Sequence, residues 1–240
     1  MRLTADLISS SPTYINPLKE RELDLRGYPF GHKIPAIENL GLAKDQDAID
    51  LTDNAIGSLG NFPLFPRLKS LYLARNRVAQ IVSGLGRSLP GLETLVLTEN
   101  AVVELVDLEA LGECRALTHL SLKGCPVEGK ENYRLFVIWL NPNIRFLDYA
   151  KVKDAERSAA KELFGPSIKE PSEAAKAVLS VRKGRPLVVH GANGDAAGKR
   201  VKTKLTDEEK ARYEKLVKNA TSLKEIERLE KMLREGRVPG

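Results

Sequence analysis

One spaced pattern of apolar residues recurs along the first 152 residues and constrains the fold more than any other feature. Its clearest copies are LKSLYLARNRV (68–78), LETLVLTENAV (92–102) and LTHLSLKGCPV (117–127). The other copies are AIDLTDNAI (48–56), a weaker LDLRGY (23–28) and a truncated IRFLDYAKV (144–152). Positions equivalent to the asparagine are 28, 54, 76, 100 and 125, at intervals of 26, 22, 24 and 25 residues. Such a period indicates a repeat architecture.

The spacing L-x-x-L-x-L-x-x-N/C-x-L is that of the leucine-rich repeat. Its L-x-L segment alternates with period two, which predicts a half-buried strand. The asparagine then turns the chain, and its side-chain amide can bind backbone groups that the turn leaves unpaired. Cys125 takes its place in the fifth copy. Apolar residues then recur at every third position, which predicts a 3₁₀ or loosely helical return segment. In the fourth copy these are Val102, Leu105, Leu108, Leu111, Cys114 and Leu117.

Stacked units must share a core because no unit can bury its apolar face alone. The predicted fold is therefore an α/β solenoid, an arc of about five to six leucine-rich repeats with parallel strands on its concave face. Each end needs a cap. Residues 2–18 are predicted to form the first cap, with LTADLI as an amphipathic turn, and residues 131–152 the second. There YRLFVIWL predicts a helix that stops before Pro142, and Trp139 is predicted to lie in the cap core.

Charge and composition divide the chain into three predicted regions. Residues 1–165 form the repeat domain with its caps and carry 20 Lys and Arg against 21 Asp and Glu. Residues 166–204 have no repeat pattern and carry 9 basic against 3 acidic residues, which predicts a basic, mostly disordered linker. This linker suits either a polyanion such as nucleic acid or a solvated tether with an import signal. Residues 205–240 are predicted to be a helical tail, with a capping box at TDEE (206–209).

The sequence carries no motif of an enzyme, so we predict no catalytic residue, no cofactor and no metal site. A nucleophile motif, a glycine-rich phosphate loop and metal-ligand spacing are all missing from it. Cys114 and Cys125 fall on core or turn positions and are interpreted as reduced structural cysteines. No apolar run approaches the ~18–20 residues of a membrane span, so no membrane partner is predicted. Leucine-rich arcs mostly present a concave surface to a macromolecule, so binding is the expected role.

The repeat pattern also predicts which side chains line the concave face. Residues between the two strand leucines are Asp24, Asp50, Tyr72, Val96, Ser121 and Asp148. Flanking positions include Glu22, Arg26, Thr52, Ser70, Ala74, Thr94, Thr98, His119 and Lys123. The strip is acidic at its start and small and apolar around Tyr72 and Val96. We expect it to accept a helix of a partner protein, with cations of that helix at the acidic start, and His119 to be a contact residue rather than a base.

Several stretches go beyond a generic repeat. They are ERELDLRGYPFGHKIPAIENLG (20–41), AIDLTDNAI, LVLTENAVVEL, YRLFVIWLNPNIRFLDYAKVK and the terminal NATSLKEIERLEKMLREGRVPG. Together they resemble the A-prime family of leucine-rich-repeat proteins in the U2 small nuclear ribonucleoprotein, over residues 1–165 and again over about 208–240. Two parts depart from the family pattern, an insertion PFGH at 29–32 and the linker.

The resemblance implies a nuclear scaffold in pre-mRNA splicing. Its concave face would bind a helix of the RNA-recognition-motif protein called B-double-prime, and the pair would bind a stem-loop of U2 snRNA, whose bases the partner's sheet reads by stacking. The tail would contact other spliceosomal proteins. Basic residues at the edges of the arc would contact RNA phosphates; these are Arg26, Lys33, Lys151 and Lys153.

A different binding class remains as an alternative, namely a leucine-rich-repeat nuclear regulator of a phosphatase or of a chromatin protein. Histone binders of this type resemble arcs with long acidic tails, whereas residues 166–240 carry 18 basic against 11 acidic residues. A phosphatase regulator would need about twice as many repeats to wrap its partner. Recovery of U2 RNA or of a phosphatase catalytic subunit from nuclear extract would separate these hypotheses.

Overall fold

The structure, a computed structural model, describes residues 2–27 and 33–181. The insertion at 29–32, the end of the predicted linker and the predicted tail helices lie outside the described residues. Within the described ranges, an eight-stranded sheet runs in the order β1-β2-β3-β5-β7-β8-β9-β10. Its strands are β1 Thr13–Ile15, β2 Arg21–Asp24, β3 Ala48–Asp50, β5 Ser70–Tyr72, β7 Thr94–Val96, β8 His119–Ser121, β9 Phe146–Leu147 and β10 Ala150–Lys151.

The strands from β2 to β9 are parallel and pair in the register that the repeat pattern predicts. Leu23 lies beside Ile49, and the ladder continues through Leu71, Leu95 and Leu120. These side chains are between 0% and 2% exposed and form one continuous apolar core with the second leucine of each copy. The predicted leucine-rich α/β solenoid with parallel strands is therefore confirmed.

The asparagines bind the turns as the sequence predicts, and they also join consecutive repeats. Asn76 Nδ2 donates to the carbonyl oxygens of Leu73, in its own repeat, and Leu51, in the preceding one, at 3.0 and 2.9 Å. Asn76 Oδ1 accepts from the Ile56 amide at 3.0 Å. Asn54 and Asn100 make the same set of bonds. Cys125 Sγ donates to the Leu97 carbonyl at 3.1 Å, and both cysteines are buried free thiols.

Return segments on the other side of the core differ from repeat to repeat. Three of them contain 3₁₀ helices, at Leu40–Ala43, Leu105–Glu113 and Pro126–Gly129. The second of these follows the spacing of three that predicted it. Another repeat instead uses β6 Gln80–Ile81, which pairs in parallel with β4 Ser58–Leu59, and then the short helix α2 Leu85–Ser88.

The first cap combines a helix with an antiparallel strand. Helix α1 Ala5–Ser10 begins at Thr4, whose hydroxyl accepts from the Leu7 amide at 3.2 Å. Strand β1 then pairs antiparallel with β2, with Tyr14 opposite Glu22. The sequence predicted the cap but not this strand, whose three residues are all exposed and show no alternation.

The second cap is helical, and its core is aromatic. Helix α3 Tyr133–Leu140 stops before Pro142 as predicted, and α4 Asp154–Phe164 packs across it. Trp139 is 5% exposed, and its Nε1 donates to the Gly165 carbonyl at 2.9 Å. A hairpin of β9 and β10 precedes α4 and ends the sheet with an antiparallel pair.

A fifth helix, α5 Glu173–Ser180, falls where the sequence predicted the start of the linker. Ser172 caps it by accepting from the Ala175 amide, while the Ser172 hydroxyl donates to the Leu163 carbonyl at 2.7 Å. Ala175 is fully buried against the cap. The chain reverses at Gly165, where φ is +97° and an added Cβ would lie 2.6 Å from the Glu170 carbonyl oxygen. The packed cap therefore continues past the predicted boundary at residue 165.

Candidate partner-binding face

The face of the sheet opposite the leucines carries aligned rows of side chains. Because successive residues of a strand point to opposite faces, the residue between the two leucines points away from the core. Strand register aligns Asp24, Asp50, Tyr72, Val96 and Ser121 in one row. A second row aligns Glu22, Ala48, Ser70, Thr94, His119 and Phe146. Thr52, Ala74 and Thr98 continue the ladder beyond the strand ends. The first row spans about 19 Å, because neighbouring strands lie ~4.8 Å apart.

The first end of this face is organised around Arg26. Its Nη2 lies 3.0 Å from Asp24 Oδ2 and 3.1 Å from the Tyr14 hydroxyl. Its Nε lies 3.3 Å from Asp50 Oδ2 on the next strand. One guanidinium therefore joins three elements and partly neutralises the two aspartates.

The charge of Glu22 is held by uncharged donors. The Tyr14 hydroxyl donates to Glu22 Oε1 at 2.7 Å, and Asn16 Nδ2 donates to Oε2 at 3.0 Å. The hydrogen bond to Glu22, together with burial, raises the pKa of Tyr14 to about 12, so the phenol stays protonated as a donor. Ser70 Oγ donates to Glu20 Oε1 at 3.1 Å. The first end therefore keeps a net negative charge beside the Arg26 network.

The two aspartates differ in their ionisation. Burial acts to raise the pKa of Asp24, but hydrogen bonds from Arg26 outweigh it, and the pKa lies below its usual range. Burial raises the pKa of Asp50 despite its bonds from Thr52 and the attraction of Arg26. Asp24 is therefore the more firmly ionised of the pair.

The middle of the face is uncharged. Tyr72 and Val96 are adjacent in register and remain partly exposed. Burial raises the pKa of Tyr72, which keeps its phenol neutral at physiological pH. Thr98 Oγ1 lies 2.9 Å from Ser121 Oγ, so these two hydroxyls satisfy each other and leave a smooth surface beside Val96.

The last end of the face is aromatic. The rings of His119 and Phe146 stack with centroids 4.9 Å apart and planes 10° from parallel. Tyr149 is 75% exposed, and its hydroxyl lies 3.4 Å from Thr98 Oγ1. Asp148, predicted to face inward as an open contact, instead accepts from the Leu122 amide at 2.7 Å and from the Tyr133 hydroxyl at 2.8 Å.

The predicted phosphate-contacting residues lie at opposite ends of the sheet. Arg26 belongs to the first end, and Lys33 Nζ lies 3.0 Å from Asp53 Oδ1. Lys151 is in β10, and Lys153 precedes α4; both side chains are exposed. From β2 to β9 the distance across the sheet is about 24 Å, so the two pairs cannot contact one phosphate group.

Comparison with known proteins identifies the family. The leucine-rich repeat family model matches residues 1–179. The U2 small nuclear ribonucleoprotein A′ of Neurospora crassa is 56% identical, over 100% of this chain and 95% of that protein. The human protein of the same name is 41% identical, over 100% of this chain and 90% of that protein. The chain belongs to the U2 small nuclear ribonucleoprotein A′ family.

One solved structure of this A′ family supports the same assignment. It is the crystal structure of a Drosophila melanogaster SNF/U2A′ complex, 44% identical, and the match covers 75% of this chain and 99% of that chain. The TM-score is 0.67. This agreement in fold and sequence confirms the predicted family resemblance.

In this A′ family member, the side chains predicted to line the concave face lie together on one face of the sheet. Two of the predicted phosphate-contacting cations, Arg26 and Lys33, already form ion pairs within the chain. The sequence assigned Arg26 no role within the arc, but the structure places it between Asp24, Asp50 and Tyr14. Lys33 is likewise held by Asp53. The contact of Arg26 with Asp24 is local, two residues apart in the sequence. The contacts of Arg26 with Tyr14 and Asp50 and of Lys33 with Asp53 join separate strands or turns, so no local pattern predicts them.

Sequence reasoning missed two aromatic residues of the face, Phe146 and Tyr149. The period-two alternation in IRFLDY could have placed Phe146 beside His119, since it precedes a core leucine as His119 does. No such signal exists for Tyr149, whose position depends on the hairpin turn. Tyr14, which reaches the first end from the cap strand, also carries no repeat signal.

Within residues 2–27 and 33–181, no group of three or more His, Cys, Asp or Glu side chains is arranged to hold a metal ion. In the same ranges, no helix has the length and apolar character needed to cross a bilayer.

Proposed function

We propose that this chain is a non-enzymatic scaffold of the U2 small nuclear ribonucleoprotein in pre-mRNA splicing and acts in the nucleus. Its concave face binds a helix of the RNA-recognition-motif protein B-double-prime. The pair then binds a stem-loop of U2 snRNA, and the C-terminal tail contacts other spliceosomal proteins.

The observation that carries this proposal is an open sheet face of suitable size. The row from Asp24 to Ser121 spans about 19 Å, which is the length of an α-helix of about 13 residues. Side chains in its middle and at its last end remain partly exposed although they are large and apolar, as with Val96 and Phe146. Exposed apolar surface framed by polar groups is typical of protein-binding sites. The 44% identical Drosophila chain was crystallised in a complex with SNF.

Charge on the face favours a partner helix with a cationic end. Glu20 and Glu22 are bound only by uncharged donors among the bonds described above, and Asp24 and Asp50 share one arginine. A lysine or arginine of the partner would complete this network by charge-assisted hydrogen bonds.

RNA binding is assigned mainly to the heterodimer. The concave face is acidic at one end and would repel phosphates there. Lys151 and Lys153, at the other end of the sheet, are exposed. In this proposal they neutralise phosphates of a stem bound by the partner.

The test uses the full chain, recombinant B-double-prime protein and a U2 snRNA stem-loop. Isothermal titration should give a one-to-one protein complex, and gel shift should show tighter, more salt-sensitive RNA binding by the pair than by either protein alone. A scrambled loop of equal length is the control for base readout. Failure of the two proteins to associate would overturn the proposal, as would recovery of a phosphatase catalytic subunit without U2 RNA from nuclear extract.

A further inference from the structure

The hairpin turn between β9 and β10 is occupied by residues that rarely tolerate its backbone conformation. Asp148 and Tyr149 form the two-residue loop, with φ angles of +51° and +65°. Positive φ at both positions defines a type I′ turn, for which Asn-Gly is the favoured sequence. A bulky aromatic residue at positive φ is an outlier, because its Cβ crowds the backbone.

Asp148 and Tyr149 differ in how much they contribute to the stability of the fold. Asp148 binds the Leu122 amide and the Tyr133 hydroxyl, so its carboxylate ties the turn to β8 and α3. Tyr149 is 75% exposed and adds little to the apolar core. Strained residues that the fold does not need are concentrated at functional sites.

The ring of Tyr149 reaches towards the sheet face rather than lying along the hairpin. Its hydroxyl lies 3.4 Å from Thr98 Oγ1, which itself contacts Ser121 Oγ at 2.9 Å. The stacked pair of His119 and Phe146 lies on the strands next to this turn. These three aromatic side chains, His119, Phe146 and Tyr149, are here called the aromatic end.

We propose that Tyr149 is a specificity-determining contact of the concave face. With Phe146 and His119 it holds the aliphatic end of the partner helix, whose cationic end lies at the acidic first end of the face, where Glu20 and Asp24 are half-buried. This inference rests on the proposed function. It adds a residue that determines the orientation of the bound helix along the face.

Charge along the face argues for a protein helix over an RNA base on this surface. Within the aromatic end, the Tyr149 hydroxyl lies 3.4 Å from Thr98 Oγ1, and Thr98 and Val96 are uncharged and suit aliphatic side chains. A nucleic acid strand stacked on Tyr149 and running along the row would meet Glu22 and Asp50, whose carboxylates repel phosphates. A helix with one cationic and one aliphatic end complements both ends at once.

The test distinguishes the contribution of the Tyr149 ring from that of the backbone conformation at position 149. Tyr149→Gly and Tyr149→Asn suit positive φ but remove the ring, whereas Tyr149→Phe keeps the ring and removes the hydroxyl. With full-length chains and B-double-prime protein, titration calorimetry should show affinity lowered about tenfold or more for the Gly and Asn variants. The Phe variant should bind within about threefold of wild type, and melting temperatures of the Gly and Asn variants should be no lower than wild type.

The outcomes distinguish this inference from the proposed function. Wild-type binding together with unchanged affinity for Tyr149→Gly would overturn the role of Tyr149 and leave the scaffold function intact. Absence of wild-type binding would overturn the scaffold function itself. If the Gly and Asn variants kept the heterodimer affinity but bound the stem-loop more weakly, the ring would contact RNA. If both variants melted at lower temperatures, the ring would serve folding. Either result contradicts the proposal.

Discussion

Two rows of side chains run through the same repeats and follow opposite rules. The buried row of Asn54, Asn76 and Asn100 is identical in chemistry from repeat to repeat, and each amide makes the same bonds to its own and the preceding turn. The row on the open strand face changes at every step, from the buried Asp50 to the partly exposed Tyr72 and Val96. From this contrast we expect the uniform row to provide stability and propose that the variable row provides recognition.

The largest expected effect comes from breaking the buried row. Asn76→Ala leaves the buried Ile56 amide without an acceptor and removes one of the two asparagine donors from each of the carbonyl oxygens of Leu51 and Leu73. The unsatisfied buried amide costs ~1–3 kcal/mol, and two further hydrogen bonds are lost, so we expect the free energy of unfolding to fall by about 3 kcal/mol. Chemical denaturation measures it, with the exposed neighbour Arg77→Ala as control. Equal midpoints for Asn76→Ala and wild type would show that this row does not carry stability.

A substitution in the row on the open strand face should lower partner affinity rather than stability. Tyr72→Ala removes a half-buried aromatic ring from the centre of the concave face, where such side chains commonly contribute ~2 kcal/mol of affinity. We expect about thirtyfold weaker binding of the B-double-prime protein by titration calorimetry. Melting temperature should change little, because the ring lies outside the leucine core. Leu64→Ala, at an exposed position in a return segment, is the control, and equal affinity for both variants would remove Tyr72 from the interface.

Arg26 forms contacts within the fold and also lies at the first end of the concave face, so its substitution tests both roles. Arg26→Ala leaves Asp24 and Asp50 unpaired, but the side chain is 51% exposed and water screens the interaction, so we expect at most about 1 kcal/mol of lost stability at pH 7. Asp24, whose pKa is lowered in the folded protein, contributes stability that is lost as the pH falls through that pKa. The difference from wild type should therefore shrink as the pH falls below the usual aspartate pKa of about 3.9. Thermal melts across this range measure it, and a difference that grows in acid would contradict the assigned contacts.

The smallest expected effect concerns the edge cations. Lys151→Ala with Lys153→Ala should flatten the slope of log affinity against log salt for stem-loop binding by the heterodimer, by about 0.9 per lost phosphate contact on duplex nucleic acid. Base preference should stay the same, since phosphate contacts carry no sequence information. Lys176→Ala, an exposed lysine of α5, is the control. A slope equal to wild type would place the RNA contacts elsewhere, and deletion of residues 182–204 would then test the basic linker.

The parts of the fold that repeat were predictable, and the parts that occur once were not. Leucine spacing and Asn76 follow from periodicity, and Trp139 from an apolar run that ends at a proline. Helix α5 was missed because its stretch was grouped with the basic residues that follow it, and because among its own residues, which include three alanines, only Ala175 is fully buried. The same holds for the site. Tyr72 was placed by alternation, whereas the positions of Tyr149 and of the Arg26 partners Tyr14 and Asp50 depend on strands and turns that no local pattern pairs.

The asparagine hydrogen bonds determine how local unfolding propagates along the chain. Each side chain joins only adjacent repeats, as when Asn100 bonds the Leu73 carbonyl and the Val78 amide. Cooperativity is then a nearest-neighbour property, and opening can start at a weak junction and run to the nearer terminus. Cys125 Sγ donates one bond, to the Leu97 carbonyl, where each of Asn54, Asn76 and Asn100 makes several, so among these four junctions the one before the second cap has the fewest side-chain bonds. In native-state hydrogen exchange, amides around residues 97–102 should therefore open at lower free energy than those around residues 51–56.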